Sequence, residues 1–121
     1  MTSPRVHFHR MTAVYLILAI IFEVGWAMAM KLSAGMTKLQ PTVAMIVMYL
    51  LSVVFLALAT KKLDVSVAYA IWAGSGAALI AIAGIVHFKE PATALKIISI
   101  GLIVAGIVGV QLSAVPSAAQ P

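Results

Sequence analysis

Four long apolar blocks, separated by short polar or charged segments, organise this sequence. They run over residues 12–30, 41–60, 65–88 and 95–112. A helix rises 1.5 Å per residue, so about 20 residues cross roughly 30 Å of hydrocarbon. Each block has that length, and the pattern predicts an all-α integral membrane protein with four transmembrane helices. Lipid offers no water to satisfy an open backbone, which is why helices are required. Membrane strands would show shorter alternating segments, and none are present. Outside the blocks, residues 1–11 read as a polar N-terminal tail with Pro4, His7 and His9, and residues 114–121 as a loose C-terminal tail. The first connection is Ser33-Ala34-Gly35-Met36-Thr37-Lys38, and Pro41 opens the second block where a missing N–H costs least. Lys61-Lys62 close the second block, and His87-Phe88-Lys89-Glu90-Pro91 the third.

Composition agrees with the pattern. The chain of 121 residues is 64% hydrophobic and 9% charged, where a soluble domain carries about 25% charged residues. A competing reading takes residues 1–29 as a signal peptide ending at Ala27-Met28-Ala29. That apolar stretch is too long for one and contains Glu23 and Trp26. With no cysteine there is no disulfide framework or thiolate metal site. Neither cofactor nor metal is expected.

The net charge of +5 does not point to nucleic acid. Arg5, Arg10, Lys31, Lys38, Lys61, Lys62, Lys89 and Lys96 stand at or near block ends, where they anchor helices at the headgroups and set topology. Four spans put Arg5, Arg10, Lys61 and Lys62 on one side and Lys31, Lys38, Lys89 and Lys96 on the other. The tally is even, whereas the positive-inside rule works through imbalance. Dual topology follows as an expectation, and with it an antiparallel homodimer. The expected location is the cell inner (plasma) membrane, with several passes.

Of three acidic residues, Asp64 and Glu90 sit in connections. Glu23 lies near the middle of the first block, between Ile20-Ile21-Phe22 and Val24. A charge there costs about 2.5–3.5 kcal/mol, and no basic residue occupies the middle of any block. The plain structural alternative is a protonated glutamate bonded to a neighbouring helix. The functional reading is that one carboxylate holds a proton or an organic cation in competition, which is the core of an antiporter. Other residues are spaced to meet it. Trp26 follows Glu23 by one turn, Tyr49 and Ser52 are three apart in the second block, and Tyr69 and Trp72 share a face of the third. Aromatic rings hold organic cations, and tyrosine hydroxyls orient carboxylates. Gly74 and Gly76 allow close helix approach or a bend, and the small residues Gly101, Ala105, Gly106 and Gly109 suit either dimerisation or packing within the chain. No nucleophile–base pair is visible, so an enzyme is not expected.

Several motifs resemble the small multidrug resistance family. They are Phe22-Glu23-Val24-Gly25-Trp26-Ala27 with Lys31, Gly35-Met36-Thr37-Lys38-Leu39-Gln40-Pro41, Ala68-Tyr69-Ala70-Ile71-Trp72-Ala73-Gly74-Ser75-Gly76, and Gly101-Leu102-Ile103-Val104-Ala105-Gly106. The resemblance extends from about residue 12 to 113. It implies a proton-coupled exporter of small organic cations working as an antiparallel homodimer with both copies of Glu23 in one site. Tyr69 and Trp72 would line that site, Ser52 and Tyr49 would lie beside it, and Gly106 would fall in the dimer-packing helix. Trp26 and the Phe88-Lys89-Glu90-Pro91 turn look like the guanidinium exporters, and Tyr49 like the quaternary ammonium exporters. Gly109-Val110-Gln111 departs from the Gly-x-Lys that typically ends the last helix of guanidinium exporters, while Asp64 and Ser66 replace a proline and a glycine common in the family. These departures leave the substrate open, with a lean to guanidinium, since a ring near Glu23 suits a flat cation. A rival reading makes the chain a non-catalytic half of a heteromeric carrier for lipid or polyamine, against which the even charge tally speaks.

Overall fold

The computed structural model describes residues 3–113, with side chains from Arg10 onward. The expected C-terminal tail at 114–121 lies outside the described residues, as do the side chains of His7 and His9. The described residues form four helices: α1 Ser3–Leu32, α2 Leu39–Ala59, α3 Val65–His87 and α4 Ala94–Ser113. Each contains a segment long and apolar enough to cross a membrane, Arg10–Leu32 in the case of α1. The first helix begins well before the block expected from residue 12. It reaches back to Ser3, so the segment expected as a polar tail is helical. The reason is physical. Polarity ends the membrane-crossing portion, but nothing in the segment breaks a helix, and Pro4 sits in the first turn where its missing N–H is harmless.

Connections are tight. Ser33 is fully buried and organises the α1–α2 turn. Its hydroxyl donates to the Met30 carbonyl at 2.7 Å and accepts from the Met36 N–H at 3.0 Å. Its carbonyl accepts from the N–H groups of Thr37 at 2.9 Å and Lys38 at 3.1 Å. These bonds hold Ala34, Gly35 and Met36 at φ of 51°, 71° and 66°. For the two residues with a side chain that conformation costs roughly 1–2 kcal/mol each, and the Ser33 network offsets it. Pro41 stands in the first turn of α2, among the N–H groups that have no partner within the helix. At the far end of α3, Phe88 and Glu90 both donate to the Gly84 carbonyl at 3.1 Å, with Lys89 left-handed at φ 56°.

The helices stand in the order α2–α1–α3–α4. The closest partnership is α1 with α2, α1 also packs on α3, and α4 packs on α3 alone. A core of Leu16, Ala59, Val67, Ala68 and Ile71 joins α1 to α3 and the end of α2. Small residues bring α1 close to its neighbours: Ala19, Ala27 and Ala29 are buried, and a Cβ on Gly25 would stand 2.5 Å from the Met48 sulfur. In lipid, apolar burial between helices is worth little, and such close backbone approach supplies the attraction. Outward positions such as Ile17, Ile21, Val54, Leu79 and Leu102 are exposed and apolar, as lipid-facing positions should be.

Candidate functional site

Glu23 is the deepest acid of the described residues, 8% exposed. Its position on α1 points it at α3, where Gly76 leaves room. A Cβ at Gly76 would overlap the Glu23 carboxyl, so the absent side chain is what the carboxyl occupies. Oε1 of Glu23 has no hydrogen-bond partner among the described residues. An ionised carboxylate would be costly in this setting without a cation beside it. Gly74, two residues earlier on α3, faces the other way, where a Cβ would stand 2.8 Å from Cγ1 of Ile107 on α4. The two glycines anticipated for close packing thus serve different helices.

Ser52 ties three helices together. Its hydroxyl, fully buried, donates to the Ala19 carbonyl at 2.6 Å and accepts from Trp72 Nε1 at 3.0 Å. Ala19 lies four residues before Glu23, so its carbonyl is also the one that the Glu23 N–H reaches in an α-helix. The bridge therefore joins the indole of α3 to the turn of α1 that carries the acid. Replacing Ser52 by alanine strands the Trp72 N–H in the interior. Ser52→Ala is expected to destabilise the chain by about 1–2 kcal/mol in detergent unfolding, the cost of a buried donor left alone. A loss below about 0.6 kcal/mol, the average for hydrogen bonds in a membrane protein, would mean that the bridge is replaced.

The expected aromatic residues form two separate pairs. Trp26 of α1 meets Tyr49 of α2 edge to face, with ring centres 5.4 Å apart. On α3, Tyr69 meets Trp72 at 5.2 Å. Trp72 is buried, while Tyr49 and Tyr69 are exposed. Nε1 of Trp26 is buried and has no hydrogen-bond partner among the described residues.

Sequence reasoning missed a methionine cluster. A cleft of about 260 Å³ beside the first pair is lined by Trp26, Met30, Met36, Met45, Ile46 and Tyr49. The signal was available: of the seven methionines, Met28, Met30, Met36, Met45 and Met48 fall in one stretch. Thioether side chains are pliable and suit surfaces that must adapt to a guest. Phe55, stacked on Phe22 at 5.9 Å, was also missed, and it serves the α1–α2 seam.

In α4 no residue is buried, and a Cβ on Gly101, Gly106 or Gly109 would meet nothing within 4 Å. Ala105 is exposed as well. The small-residue stripe makes no close contact among the described residues, and α4 seats Ile103 and Ile107 on Gly74.

The site can thus offer one sequestered carboxyl, aromatic faces on both flanks and an adaptable apolar cleft. A family model described as Small Multidrug Resistance protein matches residues 11–103. An uncharacterized membrane protein, YvaE of Bacillus subtilis (strain 168), is 50% identical over 102 residues, which is 84% of this chain and 86% of that one. A protein named guanidinium exporter from Salmonella typhimurium (strain LT2) is 42% identical over 104 residues, covering 86% of this chain and 99% of the relative. Another guanidinium exporter, from Citrobacter freundii, is 41% identical over 103 residues, or 85% and 98% of the two chains.

Proposed function

Since this chain belongs to the small multidrug resistance family, we propose that it is a proton-coupled antiporter exporting small organic cations, guanidinium-type ions first and quaternary ammonium compounds second. The observation that carries the reading is the Glu23 carboxyl, sequestered against Gly76 with Oε1 unpaired among the described residues. In that setting the acid is stable in two forms. It is neutral with a proton, or ionised with a cation beside it. One occupant must leave before the other enters, and that exclusion couples the two flows.

Each residue has a task in this scheme. Glu23 takes proton and cation in turn. Trp26, Tyr49, Tyr69 and Trp72 offer ring faces to the cation, and Ser52 fixes Trp72 against α1. Gly76 makes the space for the carboxyl, and Gly74 seats α4. A guanidinium ion suits the site because its planar fork of donors matches a carboxylate, as in arginine–carboxylate pairs. The naming of two relatives as guanidinium exporters supports the same preference.

One chain is too thin to enclose a path, so the working unit is an antiparallel homodimer in the inner membrane, with two copies of Glu23 around one site. The even division of basic residues permits both insertions, and the outward stripe of Gly101, Ala105, Gly106 and Gly109 on α4 is the face for the second copy. Apart from the proton that Glu23 gains and loses, no bond is made or broken in the cycle and the cation leaves unchanged, so the chain acts as a carrier and not as an enzyme.

The test is proton release. Adding guanidinium to detergent-solubilised protein in weak buffer should liberate protons, and tetraalkylammonium should liberate fewer at equal concentration. Because the two occupants compete, apparent cation affinity should weaken steadily as pH falls. Cation binding that releases no proton and ignores pH would reject the exchange.

A further inference from the structure

Among the described residues α1 and α4 do not pack on each other; both lean on α3. The gap between them holds a groove of about 250 Å³ that shares no lining residue with the site at Glu23. Val67 and Ile71 of α3 form its floor, with Thr12, Ala13 and Leu16 of α1 on one side and Gln111 of α4 on the other. Leu63 closes it at the α2–α3 turn. Gln111 follows Ile107 by one turn, so it stands on the face of α4 that meets α3 and not on the outward small-residue face.

The lining changes with depth. Thr12 and Gln111 put a hydroxyl and an amide at the surface end, near the bounds of their spans at Arg10 and Ser113. Leu16 and Ile71 lie deeper. Each is six residues inside a span that begins at Arg10 or Val65, which is about 9 Å at 1.5 Å per residue. Around the surface end stand Arg10, Lys61 and Lys62, against a single acid, Asp64, among the described residues there. Arg10 precedes Ala13 by three and shares its face of α1. Positive charge, then hydrogen-bonding groups, then hydrocarbon matches the order of phosphate, glycerol esters and acyl chain in a phospholipid.

We propose that this groove binds one anionic phospholipid, with its phosphate beside Arg10 and Lys61, its ester oxygens at Thr12 and Gln111, and one acyl chain along Leu16, Val67 and Ile71. Basic pockets between transmembrane helices hold anionic head groups in this way. A neighbouring helix, about 10–12 Å across, is too wide for the groove, whereas a single acyl chain enters it. That chain gains little over the surrounding lipid, which is equally apolar. Selection therefore falls on the head group, and the groove fixes where the lipid stands.

The test offers the full chain, in neutral detergent, equal amounts of phosphatidylglycerol and phosphatidylcholine with the same acyl chains. Retained lipid is counted by native mass spectrometry. Wild type should favour phosphatidylglycerol about tenfold, and Arg10→Gln combined with Lys61→Gln should cut the preference to about twofold or less. Ala13→Phe keeps every charge and fills the groove from an exposed position of α1, so it should retain at least about fivefold less phosphatidylglycerol. Should that variant fail to fold, a phosphatidylglycerol with a diazirine midway along one acyl chain decides the matter on wild type. Its label should fall on peptides holding Leu16 or Ile71, and excess inorganic phosphate should not remove it. Equal preference in a folded Ala13→Phe would overturn the proposal, since charge at the helix ends would then act without the groove. Label spread over the outer faces of the helices, or lost to phosphate, overturns it too. Wild type that retains no lipid at all leaves the groove to a second copy of the chain and overturns it outright.

Discussion

Glu23→Gln is expected to reduce proton-driven cation uptake into proteoliposomes to the level of protein-free vesicles while leaving the fold intact. Glutamine has nearly the shape of a protonated glutamate, so the space against Gly76 stays filled and α1 keeps its seat on α3. What it lacks is the ability to become negative. A neutral amide cannot balance a cation in a low-dielectric interior, nor release a proton when the cation arrives. The chain should therefore migrate as wild type in size-exclusion chromatography, with an unchanged helical signal. Neither guanidinium binding nor proton release should be measurable. Retained gradient-dependent uptake would remove the acid from the mechanism.

The second large effect is expected at Gly76. An alanine there places its Cβ where the Glu23 carboxyl now lies. The obstacle is the far end of a flexible side chain, so the helix is not forced away; the carboxyl moves instead. Helix propensity favours alanine over glycine by about 1 kcal/mol, which offsets the cost of that shift. Stability should change little, but a displacement of about 1 Å in a reacting group can cost on the order of a hundredfold in function. Gly76→Ala should accordingly show near-normal thermal unfolding and cation affinity weakened at least tenfold, read by proton release. Gly74→Ala is the contrast. Its Cβ would press on Ile107 of α4, so the loss should fall on stability and spare the affinity. Equal effects of the two alanines on affinity would contradict a special role for the Gly76 space.

The helices were legible because membrane crossing is a matter of length and polarity, both local properties. Glu23 was legible for the same reason: an acid inside an apolar block is conspicuous without any knowledge of its neighbours. The residues around it were visible only as types at helical spacings. That Ser52 would bridge Ala19 and Trp72 could not be read, because the bridge depends on how three helices are rotated. Gly74 and Gly76 stood out together, yet their opposite duties follow from facing α4 and α1. The helical start at Ser3 escaped because hydropathy reports where lipid ends and not where the backbone stops coiling. Nothing in an isolated position says that the Trp26 N–H has no hydrogen-bond partner among the described residues, since that is a property of everything surrounding it.

The Ser52 bridge also divides the chain mechanically. Three helices are stitched by it through buried polar bonds, whereas among the described residues α4 packs on α3 and takes no part in the bridge. In a lone chain, a pull at the carboxyl end would load the α3–α4 seam first and reach the turn that carries the acid only through α3.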